Sequence, residues 1–462
     1  MNKSVICSVQ YRRCRTGGHP APETGTGSEV PRDWTPATGE RGYARVRLRL
    51  KGASMELARA GAGTRAVGLR IVGILALVAL AATIWLHWTW FWGGPQPYYF
   101  FDIDFYRRAV VEVMTGAKSM YEAMAYPPFA YLLIWWLPGV PMIVGDQIWT
   151  AVTFVVVVLL GFLFSVRALE ATGRNWREQP WLLIFSGAIN TALLIMSMPM
   201  YSQLTTGQLS LLVAVLAFVD VAGFIPRRFQ GVLVGLAAAI KVTPMIFGVY
   251  YLVTGQRRQA AVSFGSFAGF TAFGALFFPT ETWTFWTRLT GTGQEVDPTL
   301  FYNLGIRSML ERFSPGLADV MWLWGGLGLL LLVATLWRAR KLYQRNQVME
   351  AILIVGAAAI VVPPNGLPHY FIWLPMAGIW LVMTGTRPAK VLGVAIYLVY
   401  SMLYFFVLLP VLNTADADSR DLLAATTLSV ITLVPVCLGV FGLPRRPAPA
   451  GRDVEQPVRD PA

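Results

Sequence analysis

The stretch "FDIDFYRR" at 101–108 opens with two carboxylates one residue apart, Asp102 and Asp104. A carboxylate held at a membrane interface can serve as a general base toward a hydroxyl. Asp102 stands one helical turn before Tyr106, on the same face if the segment is helical. The same acids could instead be solvated or pair with Arg107 and Arg108. Lys241 lies deep within the apolar run "GLAAAIKVTPMIF". An ammonium at mid-bilayer costs roughly 2.5–3.5 kcal/mol on insertion scales, so it is expected to face a cavity or an anionic ligand such as a phosphate. Snorkelling at a helix break is the alternative. His369 closes "VVPPNGLPH" just before an apolar run and could equally be a polar edge residue. Arg307 and Arg312, in "NLGIRSMLERF", are five apart, share no helical face well and could each anchor to lipid headgroups. Gln208 opens a span in "TTGQLSLL" and would be unremarkable alone.

The elements that must position these residues are set by composition. Over 462 residues the chain is 55% hydrophobic and 14% charged, with a mean hydropathy of +0.52. This is the profile of a membrane protein, and apolar segments long enough to cross a bilayer recur from Val67 to Leu443. In lipid they must be helices, since the alternation of a barrel is absent. The expected fold is an all-α, polytopic transmembrane bundle of about 11 to 13 spans, with an outer loop after the first span that carries Asp102 and Asp104 and that the family resemblance below implies to be catalytic. Residues 1–65 and 444–462 are too polar to bury a core and are expected to be disordered tails flanking a membrane domain at 66–443. Met55 begins a more ordinary start, directly before the first span, and translation is expected to begin near it.

The net charge of +13 does not point to nucleic acid, because the basic residues sit in short clusters between apolar runs. Arg65 and Arg70, Arg227 and Arg228, Arg257 and Arg258, "WRARKLYQR" at 337–345, Arg387 and Lys390, and Arg445 and Arg446 place their loops in the cytoplasm, along with the N-terminus. Loops 94–126, 280–316 and 363–369 then fall outside. Loops 226–229 and 254–259 are both basic although one apolar segment separates them. A break at Pro244, giving two short halves that dip in and return, resolves the conflict. The three apolar segments from 128 to 199 give the wrong parity, and "PPFAYLLIWWLPGVPM" with its four prolines is the one expected not to cross fully. Cys7, Cys14 and Cys437 form no disulfide framework or zinc spacing. No Walker loop, dinucleotide glycine pattern, HExxH or GxSxG occurs, which argues against an ATP-driven transporter, a zinc protease or a serine hydrolase built on those motifs.

Taken together these pieces resemble glycosyltransferase family 87, the polyprenol-phosphate-sugar-dependent enzymes of the GT-C fold. Its members typically show an Asp four residues before a Tyr, here Asp102 and Tyr106, then a Gly and a Tyr, here Gly116 and Tyr121. The "YPP" turn is matched by "AYPPFAYLL" at 125–133 with Tyr126, and "GQ-apolar" by "GQLSLL" with Gln208. The pattern "G-lAaaiK-h-tP" is matched by "GLAAAIKVTP" with Lys241. "YNLGIRSMLERF" resembles the late "NqSl..R" element and carries Asn303, Arg307 and Arg312, although Leu304 and Gly305 depart from it. "VPPNGLPHYFIWLP" resembles the "SP-x-SW-x-HH" turn, with Pro368 in place of the first His and His369 aligned to the second.

The resemblance implies that a monosaccharide, commonly mannose or in some members arabinofuranose, is moved from a polyprenyl phosphate to a glycolipid or polysaccharide acceptor outside the cell membrane. It implies inversion at the anomeric carbon, with Asp102 as the base and Asp104 as its first alternative. Tyr106, Tyr126, Gln208 and Asn303 would bind substrate, and Lys241, Arg307, Arg312 and His369 would meet the leaving phosphate. No metal or other cofactor is implied. A secondary transporter or lipid flippase would also have a broken helix and an intramembrane cation, but such proteins often show internal repeats and none is convincing here. A catalytically silent scaffold is the third possibility.

Overall fold

A computed structural model describes residues 39–93, 100–124, 126–288, 303, 305–314, 316–363 and 365–401, and from 39 to 65 the backbone alone. Of the expected tails, 1–65 and 444–462, residues 1–38 and 444–462 lie outside the described residues, as does the last expected span at 422–443, whereas the backbone of 39–65 is helical and not irregular. The chain divides into two units, Met1–Arg65 and Ala66–Ala462. Among the described residues the secondary structure is helical, apart from one isolated bridge between Ser197 and Ser401.

The first helix, α1, is Gly39–Trp92, of which Ala66–Trp92 is apolar enough to cross a membrane. Next come α2 (Phe101–Met114), with Asp102 and Asp104 in its first turn where the helix dipole favours them, and α3 (Met120–Ala123), started by a Ser119/Glu122 capping box. A short α4 (Pro128–Ile134) and a 3₁₀ turn (Leu137–Gly139) lead into the long α5 (Met142–Ala171). Seven residues reach only about 10 Å, so α4 does not cross, and the proline-rich segment is resolved into pieces.

After α6 (Pro180–Ile195), α7 (Met198–Thr206) and α8 (Ser210–Val221) come two nine-residue helices, α9 (Val232–Ile240) and α10 (Met245–Val253). Each is about 14 Å long, half a span. The interruption begins at Lys241, whose backbone is extended, and Pro244 caps the second half. The far ends of the pair meet: Arg258 donates to the carbonyls of Arg227 and Arg228 at 3.5 and 3.3 Å. The buried Asp220 carboxylate accepts from the backbone N–H groups of Gly231, Leu233 and Val234 at 2.7, 2.8 and 3.1 Å and from the Tyr251 hydroxyl at 2.7 Å. One side chain thus ties α8, the start of α9 and the end of α10 together, so the far ends of the two half-helices lie side by side.

The remaining helices are α11 (Arg257–Phe277), α12 (Pro279–Thr287), α13 (Ile306–Phe313), α14 (Met321–Gln344), α15 (Val348–Val361), α16 (Trp373–Thr384) and α17 (Arg387–Val399). Apart from the buried Glu350 at the start of α15, both α15 and α16 are apolar nearly all round and lie in the core, as such helices must. By contrast α1, α11 and α14 present Leu75, Leu276 and Leu330 outward, each more than half exposed. An apolar exterior on long helices is what lipid contact demands, and α1, α5, α11 and α14 are each long and apolar enough to cross a membrane. Shorter apolar helices, among them α6, α8, α15 and α16, pack between them.

Candidate active site

Inside the bundle, the first turns of α2 meet the turn between α7 and α8. Tyr106, which is fully buried, donates from Oη to Oε1 of Gln208 at 2.9 Å, and Tyr126 donates to the same oxygen at 3.1 Å. The two phenols are 3.4 Å apart. Because both converge on the amide oxygen, the Gln208 nitrogen is turned away from them, and its side chain hydrogen-bonds the Asp102 carboxylate. The turn itself is fixed by Gln203, which donates to the backbone carbonyl of Gln208 and accepts from the N–H of Leu211 at 3.3 Å. Gly207 ends α7 with φ +76°, and a Cβ there would overlap the side chain of Ile103 on α2. Only glycine allows both the left-handed turn and this approach.

Burial pushes the Asp102 carboxyl above its ordinary range, opposed by the hydrogen bonds from Gln208 and Thr206 and by the charge of Lys241. The Thr206 hydroxyl also lies 2.8 Å from the carbonyl of Ser202, so two acceptors share its one proton. Burial likewise raises the Tyr106 and Tyr126 phenols, which therefore keep the protons they donate to Gln208. Lys241 Nζ is 3.4 Å from Ser210 Oγ and lies over the rings of Tyr370, at 3.7 Å, and Tyr126, at 5.3 Å. His369 is buried in the 3₁₀ turn Pro368–Tyr370. Burial and then the Lys241 charge hold its pKa well below the ordinary histidine value, so it offers a neutral imidazole whose Nε2 has no partner among the described residues.

Asp102, Tyr106, Tyr126, Gln208, Lys241 and His369 thus form one cluster, built from helices and turns far apart in sequence. Asp104 projects about 200° around α2 from Asp102 and pairs with Arg108 at 3.1 Å. Asn303 supports the loop that carries His369: its Oδ1 accepts from Gly366 N at 2.9 Å, its Nδ2 donates to Asn365 at 3.4 Å, and its carbonyl accepts from Arg312 at 2.6 Å. Arg307 donates to the carbonyl of Ala318 at 3.2 Å and lies 3.8 Å from Asp319, and both of these partners belong to a neighbouring turn. Sequence reasoning missed Thr206, Ser210 and Tyr370. The first two flank Gln208 in a polar patch of an apolar region, which was the available signal; Tyr370 had none beyond its place beside His369.

A groove of about 210 Å³ runs from Gln208 between Trp149, Leu133, Trp136, Ile148 and Leu212. Its lining is apolar apart from Gln203, Gln208 and Thr153. Among the described residues no group of three His, Cys, Asp or Glu side chains could hold a metal ion. The arrangement can accept a proton at Asp102, place a cation beside it and receive an apolar chain alongside.

Comparison with known proteins adds an independent line. The family described as glycosyltransferase family 87 matches residues 125–364, a stretch that contains Tyr126, Gln208, Lys241, Asn303, Arg307 and Arg312. Two curated relatives are a polyprenol-phosphate-mannose-dependent alpha-(1-2)-phosphatidylinositol mannoside mannosyltransferase of Mycobacterium tuberculosis and a polyprenol-phosphate-mannose-dependent alpha-(1-2)-phosphatidylinositol pentamannoside mannosyltransferase of Mycolicibacterium smegmatis. The first is 27% identical over 69% of this chain and 78% of its own length. The second is 27% identical over 69% of this chain and 79% of its own length. No solved structure matches.

Proposed function

The chain belongs to glycosyltransferase family 87, and on that premise we propose that it transfers mannose from a polyprenyl-phosphate donor to a phosphatidylinositol-mannoside-like glycolipid on the outer face of the cell membrane. Membership settles the class as an enzyme and sets the transporter reading aside. Donor and acceptor follow the names of the relatives. The catalytic roles rest on one observation: Gln208 joins Asp102 to the cluster that holds Lys241.

In this reading Asp102 accepts the proton of the acceptor hydroxyl as its oxygen attacks the anomeric carbon. The bond from that carbon to the phosphate oxygen breaks on the opposite face, configuration inverts, and polyprenyl phosphate departs with the electron pair. Negative charge grows on the leaving phosphate, where the Lys241 ammonium would stabilise it. His369, being neutral, would add a hydrogen bond and not a charge. Gln208 orients the base. The groove beside it would hold a lipid tail, because a polyprenyl chain stays in hydrocarbon while its phosphate reaches the cluster.

The test is transfer by purified protein from polyprenyl-phosphate mannose to a phosphatidylinositol mannoside. Asp102→Asn is expected to lower kcat by about 10²–10⁴-fold, the range for removing a general base, while Asp104→Asn stays within a few-fold of wild type. Activity that survives Asp102→Asn and disappears with Asp104→Asn would reverse the assignment.

A further inference from the structure

Lys241 is poorly held by its own backbone. It leaves the end of α9 in an extended conformation, and its flexible four-carbon stem has many rotamers open to it. Its hydrogen bond, to the neutral Ser210 Oγ at 3.4 Å, is a weak anchor for an ammonium, and the Asp102 carboxylate attracts it through charge without fixing where it points. Its closest described aromatic neighbour is the face of Tyr370, with Nζ 3.7 Å from the ring centroid, and the Tyr126 ring stands at 5.3 Å. These rings come from segments 244 residues apart in sequence, numbered 126 and 370, so the contact exists only in the folded bundle. The negative face of an aromatic ring attracts a cation most strongly when water is excluded.

We propose that Tyr370 is a positioning residue. Its ring face holds the Lys241 ammonium where the phosphate of the donor arrives, leaving an N–H of Lys241 to point at the phosphate oxygen. The proposal rests on the reading of Lys241 as the group that meets that phosphate. Tyr370 acts through electrostatic attraction to its ring, so the hydroxyl is dispensable and the electron density of the ring is not.

The experiment replaces Tyr370 in the full-length protein with Phe, with phenylalanines carrying one, two and three ring fluorines, and with Leu, and measures kcat and KM for polyprenyl-phosphate mannose. Tyr370→Phe is expected to keep activity within about twofold. Each fluorine withdraws density from the ring face at nearly constant shape, so kcat/KM should fall stepwise, approaching the roughly tenfold loss expected for Tyr370→Leu. In a Lys241→Met background the series should be flat, because the partner is gone. A flat fluorine series on wild-type Lys241 would overturn the inference, as would a fluorine trend that persists in Lys241→Met. If Lys241→Met itself keeps wild-type donor kinetics, the phosphate-anchor reading fails first, and the inference with it. The fluorinated residues keep the ring, so the result stands even if Tyr370→Leu does not fold.

Discussion

Asp102 can accept a proton only when ionised, and its carboxyl is raised above the ordinary aspartate value of 3.8 by burial. Activity should therefore fall as pH drops, and the acid limb of kcat/KM should lie above the pH at which an exposed aspartate titrates. The Gln208 N–H stabilises the charged form, so Gln208→Leu should move that limb to still higher pH as well as lower the maximum. A pH–rate profile of the two proteins checks both shifts, and an unmoved limb would detach Gln208 from the base. Part of this was legible in sequence: the four-residue step from Asp102 to Tyr106 marks one helical face, and Asp104 falls on another. The role of Gln208 was not. Its partner Tyr106 is 102 residues away, and a lone glutamine opening an apolar run carries no local sign of what it will meet.

At the scale of elements, the half-helix pair α9–α10 is what brings Lys241 into the cluster. Pro244 between two apolar nine-residue runs, flanked by basic loops, announced the break from sequence. What sequence did not announce is the device that closes the far end. Asp220 sits in the apolar run of α8, and four donors converge on its carboxylate. Removing it strands three backbone N–H groups and a phenol away from water, so Asp220→Ala should lower unfolding stability by on the order of 3 kcal/mol. Asp220→Asn, which keeps one acceptor oxygen, should lose less. Thermal melts of the purified proteins in one detergent would rank them, and equal melting temperatures for wild type and Asp220→Ala would contradict the clamp. The pieces from 128 to 141 were harder to read, because short proline-broken helices lack the length that makes periodicity informative.

For the whole molecule, the orientation we propose from the clustering of basic loops has the cluster opening outward and the Arg227–Arg258 contact facing the cytoplasm. In a background lacking Cys7, Cys14 and Cys437, a cysteine replacing Lys118 should react with an impermeant thiol reagent on intact cells, and one replacing Arg258 only after lysis. The reverse pattern would invert the protein. The bundle itself was plain from hydropathy, because lipid leaves helices as the only option for such runs, whereas the packing that hides α15 and α16 depends on contacts no local pattern encodes. The groove beside Gln208 has a further consequence. Trp136, Ile148 and Val152 are partly exposed along it, so in the proposed orientation its side opens to hydrocarbon and not to water. A substrate entering there travels in two dimensions, and the quantity that sets its encounter rate is its mole fraction among the surrounding lipids. The enzyme would then respond to the crowding of its donor within the sheet it inhabits, whatever the volume of fluid on either side.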